Sequence, residues 1–167
     1  NIDNLLLVVG KTLGHLEQSV FARDILNEKK GPPPEVNLFN EKNNGVTVLK
    51  LIENGLIKSA HDVSLGGIII AISKMAIKGK KGFQIKKTKN LINKFEFFFG
   101  EDQGRYIIEV NPKDLIKVKK ILEENSVHFD EIGLVTKNNV VLEKEPNLHI
   151  DDLIECNTSW LKSYMDK

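Results

Sequence analysis

Nine residues, Ser59-Ala60-His61-Asp62-Val63-Ser64-Leu65-Gly66-Gly67, constrain this chain more than any others. They join the apolar pair Leu56-Ile57 to the run Ile68-Ile69-Ile70-Ala71-Ile72 through Asp, Ser and two glycines. An apolar segment that breaks on short polar residues and resumes with helical length predicts a turn opening a buried helix. Asp62 and Ser64 both suit an N-cap, where a short side-chain oxygen accepts from the free amides of the first turn. Gly66 and Gly67 permit positive φ or close approach to the backbone. Such a helix start attracts anions. The same nine residues also fit a plain capped helix packed on a sheet.

The segments on either side read as alternating strands and helices. Leu5-Leu6-Leu7-Val8-Val9-Gly10 is a short apolar run closed by glycine, hence a buried strand. The following Gly10-Lys11-Thr12 is not a P-loop, because Leu5 stands where the first glycine of that motif is required. Helical spacing of Val20, Phe21, Ile25 and Leu26 predicts a surface helix over 17–26. Gly31-Pro32-Pro33-Pro34 has to be a stiff external spacer, since three successive prolines lack amide donors. Asn43-Asn44-Gly45 is expected to separate two elements, and Val48, Leu49 and Ile52 to form the buried face of a helix ending near Asn54-Gly55. The helix after Gly67 is apolar almost all round through Ile77, with Met75 as a core filler, and predicts burial between layers. Phe83-Gln84-Ile85-Lys86 alternates as a strand does. Pro112-Lys113-Asp114 starts a helix with Leu115, Val118, Ile121 and Leu122 inward. A strand around Phe129–Val135 then turns at Lys137-Asn138-Asn139 into a partner strand, Val140-Val141-Leu142. Asp151 or Asp152 caps a last helix in which Leu153, Ile154, Trp160, Leu161, Tyr164 and the core residue Cys156 form the apolar set.

A second polar stretch, Gly100-Glu101-Asp102-Gln103-Gly104-Arg105, lies between the aromatic anchor Phe97-Phe98-Phe99 and an expected strand at Tyr106–Val110. Arg105 is placed to pair with Glu101, four residues earlier. The loop suits either a polar ligand or a structural clamp.

Composition excludes several classes. With 24 basic and 23 acidic side chains the net charge is +1, which argues against a dedicated nucleic-acid surface. A single cysteine rules out an internal disulfide framework and points to a reducing, cytoplasmic setting, and no apolar run reaches membrane-spanning length. The four histidines, His15, His61, His128 and His149, match no zinc signature. The opening Asn1-Ile2-Asp3, with neither Met nor leader, is expected of a piece of a longer chain.

Taken together, His61-Asp62-Val63-Ser64-Leu65-Gly66-Gly67 with Met75-Ala76, the loop Phe99-Gly100-Glu101-Asp102-Gln103-Gly104-Arg105, the segment Gly31–Leu38 and the tail Trp160–Met165 carry a resemblance. They resemble the C-terminal domain, the second B domain, of the synthetase subunits of the phosphoribosylformylglycinamidine synthase family, within the aminoimidazole ribonucleotide synthetase superfamily. The resemblance implies an α+β fold, a three-layer α/β/α domain with a mixed sheet, partly ferredoxin-like. It implies one domain over 1–167, at the end of a synthetase built from two A-B pairs. It implies an enzyme of purine biosynthesis that uses ATP to activate the formamide oxygen of formylglycinamide ribonucleotide and replaces it with ammonia from glutamine. By that resemblance Asp62 ligates Mg²⁺, Ser64 with Gly66 and Gly67 contacts a nucleotide, and Glu101, Asp102 and Gln103 contact substrate. It places no catalytic residue in this chain and implies that the chain alone is inactive. The implied partners are the remaining synthetase domains, a glutaminase subunit and a small accessory subunit. Two departures weaken the nucleotide site: Leu65 replaces the usual aspartate and Glu17 a usual glycine. The alternatives are a non-catalytic scaffold that docks those subunits, and a kinase or selenophosphate-synthetase type of relative, which the triple proline and the Glu-Asp-Gln-Gly-Arg loop disfavour.

Overall fold

The computed structural model describes residues 1–86 and 92–166. The apolar run at the start is strand β1, Leu5–Val9. Because side chains alternate along a strand, Leu6 and Val8 enter one core while Leu7 and Val9 enter another on the opposite face. This double burial sets the architecture: a central sheet with helices on both sides.

After β1 come α1 (Val20–Asp24), α2 (Leu38–Glu53), β2 (Ile57–Val63), α3 (Gly67–Gly79), β3 (Gly82–Ile85), α4 (Lys94–Phe99) and β4 (Arg105–Val110). A 3-10 turn at Pro112–Asp114 leads into α5 (Leu115–Glu124), then β5 (Phe129–Thr136), β6 (Asn139–Leu142), β7 (Leu148–His149) and α6 (Ile150–Met165). The strands lie in the order β2-β4-β1-β5-β3-β6-β7. The β3–β6 pair is parallel and the other pairs are antiparallel, so the sheet is mixed. One core packs α3, α4 and the start of α6 on the sheet through Ile68, Ile72, Phe97, Phe98 and Ile150; the other packs α2 and α5 through Val48, Leu51, Val118 and Leu122. This is the α+β, three-layer α/β/α arrangement with a mixed sheet that the resemblance implies.

Local details depart from the sequence reading. The first helix is short: Ser19 caps it by accepting from the Ala22 amide, and Ile25 and Leu26 stay largely exposed beyond its end. Asn43-Asn44-Gly45 sits inside α2 rather than between elements. Asn43 donates to the Asn125 carbonyl (2.8 Å), Asn44 donates to the Gly104 carbonyl (2.9 Å), and a Cβ on Gly45 would stand 3.1 Å from the Tyr106 hydroxyl. These residues serve tertiary contacts that outweigh their weak helix propensity. The α2 face turned inward is Asn44, Thr47, Val48 and Leu51, while Leu49 and Ile52 are about half exposed. Leu49→Gln is therefore expected to change unfolding free energy by less than about 0.5 kcal/mol, measured by urea denaturation.

The strands expected to form a hairpin, β5 and β6, do not pair. β3 is inserted between them, antiparallel to β5 and parallel to β6, and Gly133 makes room for the Gln84 carbonyl, which a Cβ there would meet at 1.9 Å. α3 is an outer layer, with Ile70 39% exposed. The end of α6 is not a core element either: Trp160, Leu161 and Tyr164 face solvent and Cys156 is exposed. Among the described residues no helix is long and apolar enough to cross a membrane.

Candidate functional site

The two polar stretches singled out in the sequence meet in space. Glu101 Oε1 accepts from the Gly66 amide and from the Val20 amide, both at 2.8 Å. One buried carboxylate thus ties the turn before α3 to the first residue of α1, and it sits against two groups of orphan amides where an anion is favoured.

Asp102 does the same for the loop after β1. Its Oδ2 accepts from the amides of Leu13 (3.0 Å) and Gly14 (2.9 Å), and its Oδ1 from the His15 amide (3.1 Å). The residues just after Gly10-Lys11-Thr12 therefore do gather backbone amides round an anion, as a phosphate-binding loop would, but the anion is a side chain of the protein itself. Arg105 Nη1 lies 3.5 Å from Asp102 Oδ2, and its side chain is fully buried. The same guanidinium donates to the carbonyls of Asp102 and Gly100 and to the Thr12 hydroxyl. Burial pulls its pKa down from the ordinary arginine value, opposed by the charges of Asp102 and Glu101. The expected Glu101–Arg105 pair is replaced by Asp102–Arg105, because Gly104 turns the chain at φ +66° and Arg105 already belongs to β4.

Asp62 and Ser64 are not helix caps. Asp62 lies within β2, opposite Tyr106 of β4, and the residue at the cap position of α3 is Gly66, with φ +82° and no side-chain cap bond. Both Asp62 and Ser64 are exposed at the end of an edge strand, flanking the buried Val63. The glycine amides are committed internally: Gly66 to Glu101, and Gly67 to the Ser64 carbonyl at 3.0 Å. Both glycines have positive φ. His61 Nδ1 is 3.4 Å from Asp62 Oδ1, and no cluster of three or more potential metal-binding side chains occurs among the described residues. The donor set fits Mg²⁺ only as one carboxylate of a site whose remaining ligands are phosphate, water or other protein groups, a common arrangement for that ion.

Beside the Asp102 loop lies a cleft of about 670 Å³. Lys11, His15, Asn37, Asn40, Asn44 and Gln103 supply polar groups to it. Gln103 is exposed in it, whereas Glu101 and Asp102 are buried. Asp62, Ser64, Gly66 and Gly67 are not part of its lining. Among the cleft residues missed by sequence reasoning are Lys11, the three asparagines and the carboxylates Glu35, Glu41 and Glu96. Asn37 caps α2 by accepting from the Asn40 amide, and Asn-x-x-Asn running into Asn44 puts amide side chains on neighbouring turns of one helix, a spacing that was available as a signal.

Known proteins agree with this architecture. The family model described as AIR synthase related protein, C-terminal domain, matches residues 1–144. A phosphoribosylformylglycinamidine synthase subunit PurL of Pelagibacter ubique is 66% identical over 98% of the chain, and that of Bartonella henselae 39% over 99%. In both cases the chain spans only 22% of the relative's length. Among solved structures, Thermotoga maritima PurL complexed with FGAR superposes with a TM-score of 0.73 at 19% identity, covering 92% of this chain and 28% of that one. A thiamine-monophosphate kinase from Stenotrophomonas maltophilia gives 0.57 at 12% identity, over 87% of this chain and 51% of that one, which speaks to the fold alone. A shared mixed sheet, the matched domain and close relatives over the full chain point the same way, and the chain belongs to the AIR synthase related protein family as its C-terminal domain.

Proposed function

We propose that this chain is the C-terminal domain of a longer phosphoribosylformylglycinamidine synthase subunit, a cytoplasmic ATP-dependent ligase of purine biosynthesis. That enzyme would convert formylglycinamide ribonucleotide to the amidine with ammonia from glutamine supplied by a glutaminase subunit, in a complex with a small accessory subunit. The observation that carries this reading is the 66% identity over 98% of the chain with a subunit of that name.

In this reading the domain forms one wall of the substrate site. Gln103 is its candidate substrate contact, since its side chain faces the cleft, while Glu101 and Asp102 hold the loops behind it. Asp62 is the candidate Mg²⁺ ligand and Ser64 the candidate nucleotide contact, both exposed for a neighbouring domain to complete. The ion, when bound, would screen phosphate charge.

A second reading, a scaffold without a working nucleotide site, is favoured by one observation: the amides of Gly66 and Gly67 are already bonded inside the domain. Calorimetric titration of the full-length polypeptide with ADP and Mg²⁺ separates the two. Asp62→Ala is expected to reduce the binding heat attributable to this site; unchanged heat favours the scaffold. The 167-residue chain alone is expected to form no amidine from ATP, Mg²⁺, ammonia and the ribonucleotide, and product formation would contradict the division of labour proposed.

A further inference from the structure

The last helix changes character along its length. Ile150 is 3% exposed, and Leu153 and Ile154 pack against the core beside it. At 3.6 residues per turn the same stripe continues through Asn157 to Leu161 and Tyr164, with Trp160 and Met165 at its margins. There, among the described residues, it is largely uncovered: Trp160 is 67% exposed, Leu161 58%, Tyr164 63% and Met165 72%. Trp160 and Tyr164 stack on each other, ring centres 5.5 Å apart and planes at 14°, which presents a preformed aromatic surface. Large aromatic side chains of this kind anchor interface cores, and a grouped exposed set calls for a partner.

We propose that the second half of α6 docks onto the remainder of the same polypeptide. This rests on the reading of the chain as part of a longer subunit. Two observations select that occupant. The family match ends at residue 144, before α6, yet relatives match 98% and 100% of the chain, so the helix belongs to what these relatives share beyond the common domain. The chain spans 22% of those relatives' length, so in the proposed subunit most of the polypeptide is further chain, held close by covalent connection.

Hydrogen–deuterium exchange on the full-length protein tests this. Amides of 158–165 are expected to exchange about 100-fold more slowly than those of an open helix end. Leu161→Glu should abolish that protection, and Ser159→Glu, on the opposite side of the helix, should leave it intact; the core strands report that both variants remain folded. Exchange at the rate of a frayed end in the unsubstituted protein overturns the proposal. So does protection that fades on dilution, which assigns the face to a second copy, or protection that arises only when a glutaminase subunit is added. Ammonia-dependent amidation measured on the same sample keeps the readings apart. Activity with an open helix end defeats the docking alone, whereas protection without activity supports it and defeats the functional reading.

Discussion

Asp102→Ala is expected to destabilise the domain by about 3–5 kcal/mol, because it breaks a buried ion pair and frees several buried donors at once. The carboxylate is 6% exposed and receives three amides, those of Leu13, Gly14 and His15, besides facing the buried Arg105. Its loss strands a guanidinium that no water reaches easily and releases the loop that walls the cleft. Asp102→Asn should cost less, since one oxygen still accepts, but its amide group would point a donor at other donors. Gln103→Ala, exposed next door, should fall within about 0.5 kcal/mol of the unsubstituted chain. Urea unfolding of the three variants checks the order. An unchanged midpoint for Asp102→Ala would mean that the carboxylate is not the clamp described.

This clamp shows where the sequence was legible and where it was not. Periodicity placed β1, β3, α5 and the apolar helix after Gly67, because burial writes itself into spacing. It misplaced the pairing of β6, since a turn sequence signals reversal but carries no record of a third strand entering between its arms. It read Asn43-Asn44-Gly45 as a break because the contacts that justify those residues, to Asn125, Gly104 and Tyr106, come from elsewhere in the chain. Glu101 and Asp102 were recognisable as a charged constellation. Whether a carboxylate faces a ligand or its own backbone amides depends on a fold that brings Leu13 and Gly66 to it, and sequence spacing holds no information about that. The same holds for Asp62, on an edge strand, and Ser64, just past its end, whose places follow from β2 extending as far as Val63.

The glycine pair of the central motif yields the other large effect. Gly67→Ala is expected to cost about 3–5 kcal/mol and Gly66→Ala about 1–2 kcal/mol, although both residues have positive φ, at +71° and +82°. A Cβ on either pays the left-handed penalty, which is the whole of the common part. The difference lies in what each Cβ would strike. At Gly66 it meets one residue, Ile70, at its Cγ1 and, at 2.9 Å, its Cβ, so relief takes a small outward shift of the first turn of α3, where Ile70 is 39% exposed, and not a rotamer change alone. At Gly67 it meets main-chain atoms, the carbonyl oxygens of Gly100 and Phe98 and the carbonyl carbon of Phe99, all at 2.7 Å. Backbone at the end of α4 yields only if the whole helix shifts, and α4 carries Phe97 and Phe98 into the core and leads directly to Glu101. Gly67 is thus required for the contact between α3 and the loop that clamps its own start. Thermal and urea unfolding of the two alanine variants measure the gap, and equal losses would show that the start of α3 is not seated against α4 as described.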